Sequence, residues 1–128
     1  MLGAAPFMAF IPVGDLAAAR TFYTEQLGLR VTGENPYAVA LDAGGTMVRL
    51  TPVPDPQPQP FTIAGWQVPD IGDAVDALAA VGIGCIRYEG MEQDAKGVWA
   101  TPAGDHVAWF KDPAGNTLSL TSFASPPT

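Results

Sequence analysis

Val107–Thr121 reads VAWFKDPAGNTLSLT. Two strand-like runs, Val107–Phe110 and Thr117–Thr121, flank a turn at Asp112, Pro113, Ala114, Gly115 and Asn116. Pro113 pre-sets φ for a turn, Gly115 accepts positive φ without steric cost, and Asp112 and Asn116 are able to bond their own neighbouring backbone. The stretch therefore predicts a β-hairpin. In its second arm Thr117, Ser119 and Thr121 alternate with Leu118 and Leu120, which sets a row of hydroxyls against an apolar face. In a buried sheet that row would be a cavity wall; on an open sheet it would only meet water.

The same kinds of element occur twice in the chain. Phe7–Val13 alternates as a first strand, and Asp15 caps a helix over Leu16–Leu27 that ends at Gly28. Leu29–Thr32, Tyr37–Leu41 and Thr46–Thr51 read as further strands, broken by Gly33–Pro36 and by a turn at Asp42–Gly45. Pro52–Pro60, PVPDPQPQP, is a semi-rigid extended connector. Phe61–Val68 is then a strand, and Asp70 caps a helix over Ile71–Ala80 whose stripe is Ile71, Ala74, Val75, Leu78 and Val81. Cys85–Tyr88, Gly97–Thr101, Val107–Phe110 and Thr117–Phe123 complete the set. Val13–Leu16 (VGDL) matches Val68–Ile71 (VPDI), and Gly28–Val31 (GLRV) matches Gly82–Cys85 (GIGC). The chain is thus two copies of a module of ~55 residues. Module one spans 7–51, the connector 52–60 and module two 61–123, all within one domain over 1–128.

With 128 residues, 48% of them hydrophobic, the chain has enough apolar material for a substantial core. No apolar run approaches the ~20 residues that cross a bilayer, and Met1–Pro6 lacks a basic leader pattern, so the expected location is cytoplasmic. A net charge of −7 argues against nucleic acid, which needs a basic face. The lone Cys85 excludes an internal disulfide and reads as a small buried hydrophobe.

VGDLAAARTFYTEQLGLRV at Val13–Val31, together with VAWFKDPAGNTLSL at Val107–Leu120, resembles the vicinal oxygen chelate superfamily. That superfamily includes glyoxalase I, extradiol dioxygenases and bleomycin resistance proteins. The resemblance implies an α+β fold of two βαβββ modules, glyoxalase-like, forming a curled mixed sheet around a cleft, often in a homodimer. It also implies metal ligands from four strands. Carried over by position, these fall on Met8, Arg49, Ile63 and Ser119, and no His, Cys, Asp or Glu lies within two residues of any of them. Divalent ions take imidazole, carboxylate or thiolate, so neither a metal nor another cofactor is expected.

Strand parity turns Met8, Phe10, Met47, Arg49, Ile63, Gln67, Thr117, Ser119 and Thr121 inward as candidate ligand-binding residues. They describe an apolar wall with few polar groups, as small-molecule sites have. Arg49 is able to clamp a carboxylate or phosphate; its bland alternative is an ion pair with Asp42 or Glu92. His106 is a candidate general base. Trp66 faces the helix by parity, whereas Trp99 and Trp109 are ambiguous. Glu89, Glu92 and Asp94 form an acidic loop, either solvated or edging a site for a cationic ligand. The leading expectation is a metal-independent protein that binds a small organic molecule, sequestering a drug or metabolite. The alternatives are a lyase, isomerase or dioxygenase-like enzyme acting on an anion held by Arg49, and an interaction module using the proline connector.

Overall fold

The alternation of the first apolar run decides which side of a sheet is covered. In the computed structural model, which describes residues 1–124, strand β1 (Met8–Val13) buries Ile11 and Val13 and leaves Met8 and Phe10 open. Asp15 then starts helix α1 (Leu16–Thr21), its side chain accepting from the Ala18 N–H at 3.0 Å. The predicted helix does not run regularly to Leu27. Over Phe22–Gln26 it widens to a π-turn, with the Leu27 N–H donating to the Phe22 carbonyl. The extra residue in that turn lets adjacent Phe22 and Tyr23 both enter the core, their rings edge to face at 5.1 Å. Gly28, at φ 80°, ends the segment.

Strands β2 (Arg30–Asn35), β3 (Ala38–Ala43) and β4 (Thr46–Pro52) complete a sheet of order β1-β4-β3-β2. β1 and β4 are parallel and the other pairs antiparallel. Gly33 does not break β2 as expected; the strand passes through it with a register shift between Val31 and Gly33. Val39, Leu41, Val48 and Leu50 join Ile11 and Val13 on the face that α1 covers. The chain divides into two compact units between Gln57 and Pro58, inside the proline connector.

The second unit repeats the plan. β5 (Thr62–Gln67), α2 (Ile71–Ala80), β6 (Trp99–Ala100), β7 (His106–Lys111) and β8 (Thr117–Ser122) give the order β5-β8-β7-β6, with β5 and β8 parallel. Together the units make an α+β fold of two four-stranded mixed sheets. Asp70 caps α2 by accepting from the Asp73 N–H, and Gly82, at φ 83°, lies just beyond it. Ile71, Val75 and Leu78 are buried as the stripe predicts, but Val81 is exposed because the helix has already ended.

Two predicted strands differ more. Cys85–Tyr88 is not a strand, and Gly97–Thr101 shrinks to Trp99–Ala100. Both pieces lie along β7: the Ile86 N–H donates to the Trp109 carbonyl, and Trp99 pairs with Val107. The Gln93 side chain links them, accepting from the Tyr88 N–H and donating to the carbonyls of Ile86 and Gly97 at 2.8 Å each. A side-chain amide thus takes the place of ladder partners that the interrupted backbone does not supply.

Candidate functional sites on the two sheets

Each sheet has one face under its helix and one face without a helix. In the first unit the register places Met8 beside Met47 and Phe10 beside Arg49, on the face opposite Ile11 and Leu50. Met8, Phe10 and Met47 are 38%, 59% and 42% exposed, which is unusual for large apolar side chains on a regular sheet. A cavity of about 330 Å³ opens on this unit, lined by Pro6, Phe7, Met8, Thr32, Leu41, Asp42, Gly45 and Met47.

Arg49 occupies the next register row. Its guanidinium carbon lies 6.0 Å from the centre of the Phe10 ring, a cation–π distance. Asp42, the partner considered from sequence, pairs instead with Arg30 at 3.8 Å. Among the described residues Arg49 has no carboxylate within ion-pair distance. A half-buried guanidinium beside a ring, with its donors uncommitted among the described residues, is chemically suited to receive an anion.

The second sheet is built differently. Gly65 pairs with Ser119 at the position held in the first unit by Phe10 and Arg49. A Cβ on Gly65 would lie 2.6 Å from Ser119 Oγ, so the bare glycine backbone closes over the serine, which is 7% exposed. Thr117 is 2% exposed and donates its hydroxyl to the Gln59 carbonyl. The hydroxyl row is therefore largely covered, with Thr121 half-buried and Gln67 exposed at its far end. Ile63, at the register shift in β5, is 37% exposed.

The aromatic residues left ambiguous by parity are resolved. Trp109 pairs with Ser119 and Trp99 with Val107, which puts both on the face without the helix. Trp66 faces α2 and stacks on Phe110 at 6.1 Å. His106 is exposed, and its parity with Ala108 and Phe110 places it on the helix side, away from Trp109 and Ser119. Cys85 is half-buried, and burial pushes its thiol above the ordinary cysteine range, with Asp94 adding to the shift; that suits an unreactive thiol. Asp94 belongs to a turn, its carboxylate accepting from the Lys96 and Val98 N–H groups. Phe7 and Tyr88, both cavity-lining, were missed as candidates; an aromatic next to a strand end or a glycine-containing loop is the signal that marks them.

The four positions at which the family resemblance implies metal ligands, Met8, Arg49, Ile63 and Ser119, hold a thioether, a guanidinium, an alkyl group and a covered hydroxyl. Among the described residues no group of three or more His, Cys, Asp or Glu is placed to hold a metal ion. This donor set does not fit a divalent cation. No helix among the described residues is long and apolar enough to cross a membrane.

The sequence pattern of the Glyoxalase/Bleomycin resistance protein/Dioxygenase superfamily matches residues 5–120, spanning both units. No curated protein matches the chain. Similar solved structures include a member of this superfamily from Sphaerobacter thermophilus, 25% identical, with a TM-score of 0.73 over 96% of this chain and 100% of that one. A lactoylglutathione lyase from Agrobacterium tumefaciens is 19% identical, TM-score 0.71, over 94% and 95%. An antibiotic binding protein from Streptomyces is 22% identical, TM-score 0.71, over 95% and 98%. A lyase and a binding protein thus share this fold, so activity has to be argued from the residues.

Proposed function

The chain belongs to the glyoxalase/bleomycin resistance protein/dioxygenase superfamily, and from that premise we propose that it binds a small organic anion without a metal ion. The observation that carries this reading is Arg49, uncommitted among the described residues and set on an open face with Phe10, Met8 and Met47. The apolar side chains take the body of the ligand by burial, at roughly 25 cal/mol per Å² removed from water. Arg49 then fixes a carboxylate or phosphate through paired N–H donors. On the second sheet, taken by itself, the proposed contact residues are Ile63, Gln67, Thr117, Ser119 and Thr121; of these Ile63, Gln67 and Thr121 are accessible, whereas Thr117 and Ser119 are covered. Binding rather than turnover is favoured because the carboxylate on Arg49's face, Asp42, is paired with Arg30, and His106 lies on the helix side of its own sheet. The antibiotic binding neighbour supports sequestration as the biological use of such a site. Pairing of two copies, implied by the family, is part of the proposal and is read by native mass spectrometry.

Calorimetry with 1-naphthoate and its neutral amide tests the site. We expect the carboxylate to bind at least about tenfold more tightly than the amide, with Arg49→Met removing that preference. Chelator should leave the affinity unchanged. Equal affinities for acid and amide, or binding that requires added Zn²⁺ or Ni²⁺, would refute the reading.

A further inference from the structure

The second unit contains a cavity of about 570 Å³ lined by Tyr88, Glu89, Gly90, Met91, Glu92 and Trp99. We propose that this cavity binds an organic cation with an aromatic or apolar body, such as a protonated aryl amine or a quaternary ammonium. It is separate from the anion-binding reading of Arg49 and rests on different residues.

The aromatic walls carry the argument. Tyr88 meets Trp109 edge to face at 5.4 Å, and Trp99 stacks on the same indole at 6.2 Å, so both lining rings are braced by one partner. The loop between them is held as well. Gln93 bonds Tyr88, Ile86 and Gly97, while Arg87 donates to the main-chain carbonyls of Gln93 and Asp94. Such a site has little ordering left to do when a ligand arrives. Ring faces attract positive charge, and Met91 adds a polarizable thioether that adapts to an apolar body.

The sign of the ligand follows from the carboxylates at the same cavity. Glu89 and Glu92 have no cationic partner among the described residues. The neighbouring cations are committed elsewhere, Arg87 to carbonyls and Lys96 to Asp76 at 2.9 Å. Two carboxylates alone would mark a solvated loop. Set beside two braced rings and a cavity of ligand size, they select a cation and repel an anion. A metal ion is the poorer occupant, because the lining supplies two carboxylates and otherwise rings and a thioether.

An NMR titration of the labelled protein with benzyltrimethylammonium, benzyl alcohol and benzoate tests the proposal. The expected result is a saturable shift of the Trp99 indole N–H with the ammonium ion, at least about tenfold weaker for the alcohol and absent for benzoate. Glu89→Gln with Glu92→Gln should weaken the cation by about tenfold or more, and the amide spectrum of that variant reports whether its fold is intact. Equal affinity for benzyl alcohol, an unaffected double variant, or the absence of a saturable shift at Trp99 would each overturn the proposal.

Discussion

In the first unit the strand after the helix, β2, pairs continuously with β3 apart from one register shift; in the second, its counterpart is reduced to Trp99–Ala100, and Cys85–Tyr88 is tied to β7 without forming a strand. The intervening loop is held by a glutamine side chain and forms a cavity wall. The connecting hairpins differ too. Asp42 sits in a turn with two positive-φ glycines, Gly44 and Gly45, and accepts from the Gly45 N–H. Asp112 is 5% exposed and accepts from the Ala114 and Asn116 N–H groups and from Asn116 Nδ2. One module plan therefore tolerates either a turn eased by glycine or a turn built from buried polar bonds. The same freedom lets the paired positions Phe10 and Arg49 become Gly65 and Ser119. Repetition conserves which backbone groups pair, while the face without the helix is free to diverge.

The hairpins give the largest test of that contrast. Asp112→Ala strands buried donors of Asn116 and should cost about 2–4 kcal/mol in denaturant unfolding. Asp42→Ala leaves its donor near water and should cost about 1 kcal/mol or less. Equal costs would mean that the two turns are equivalent after all. The paired strand positions come next. Gly65→Ala drives a Cβ to within 2.9 Å of the Ser119 carbonyl oxygen and should cost about 1–3 kcal/mol. Replacing Ser119 by glycine in that background relieves only the hydroxyl contact, so the rescue should be partial.

Gln93→Ala should cost about 1–2 kcal/mol, since water reaches part of what the amide held. Its sharper signature is faster hydrogen exchange at the Tyr88 N–H, with exchange in β2 unchanged. The smallest effect concerns the exposed ion pair between Arg20 of α1 and Glu34 of β2, 2.8 Å apart, which parallels Lys96 and Asp76 in the second unit. The hydrogen bond from Arg20 holds the Glu34 carboxyl below its ordinary range, the effect of burial opposing it. The contribution is therefore present above the unfolded carboxylate pKa and disappears as pH falls through the lowered folded value. The stability difference between wild type and Glu34→Gln should be small and salt-sensitive at neutral pH and vanish in acid.

Much of the fold was legible because its signals are local. Asp15 and Asp70 cap helices, Gly28 and Gly82 end them, and Asp112 to Asn116 turn the hairpin, each through bonds or φ values that neighbouring residues decide. The interruption between α2 and β7 was illegible because Gln93 replaces a ladder from within a loop, and nothing in the spacing announces a side chain acting as a peptide. The candidate site was legible in its parity and not in its accessibility. Parity put Arg49 and Ser119 on faces without a helix, but only packing left the first uncommitted and covered the second.

The sequence by itself determined the two modules, the strand faces and the absence of metal-ligand chemistry at Met8, Arg49, Ile63 and Ser119, because these depend on residue type and short-range order. Tertiary structure alone decided which polar groups are available. Availability depends on what lies across a register pair, and that partner is distant in the chain: Phe10 beside Arg49, Gly65 over Ser119, and Trp109 behind Tyr88 and Trp99.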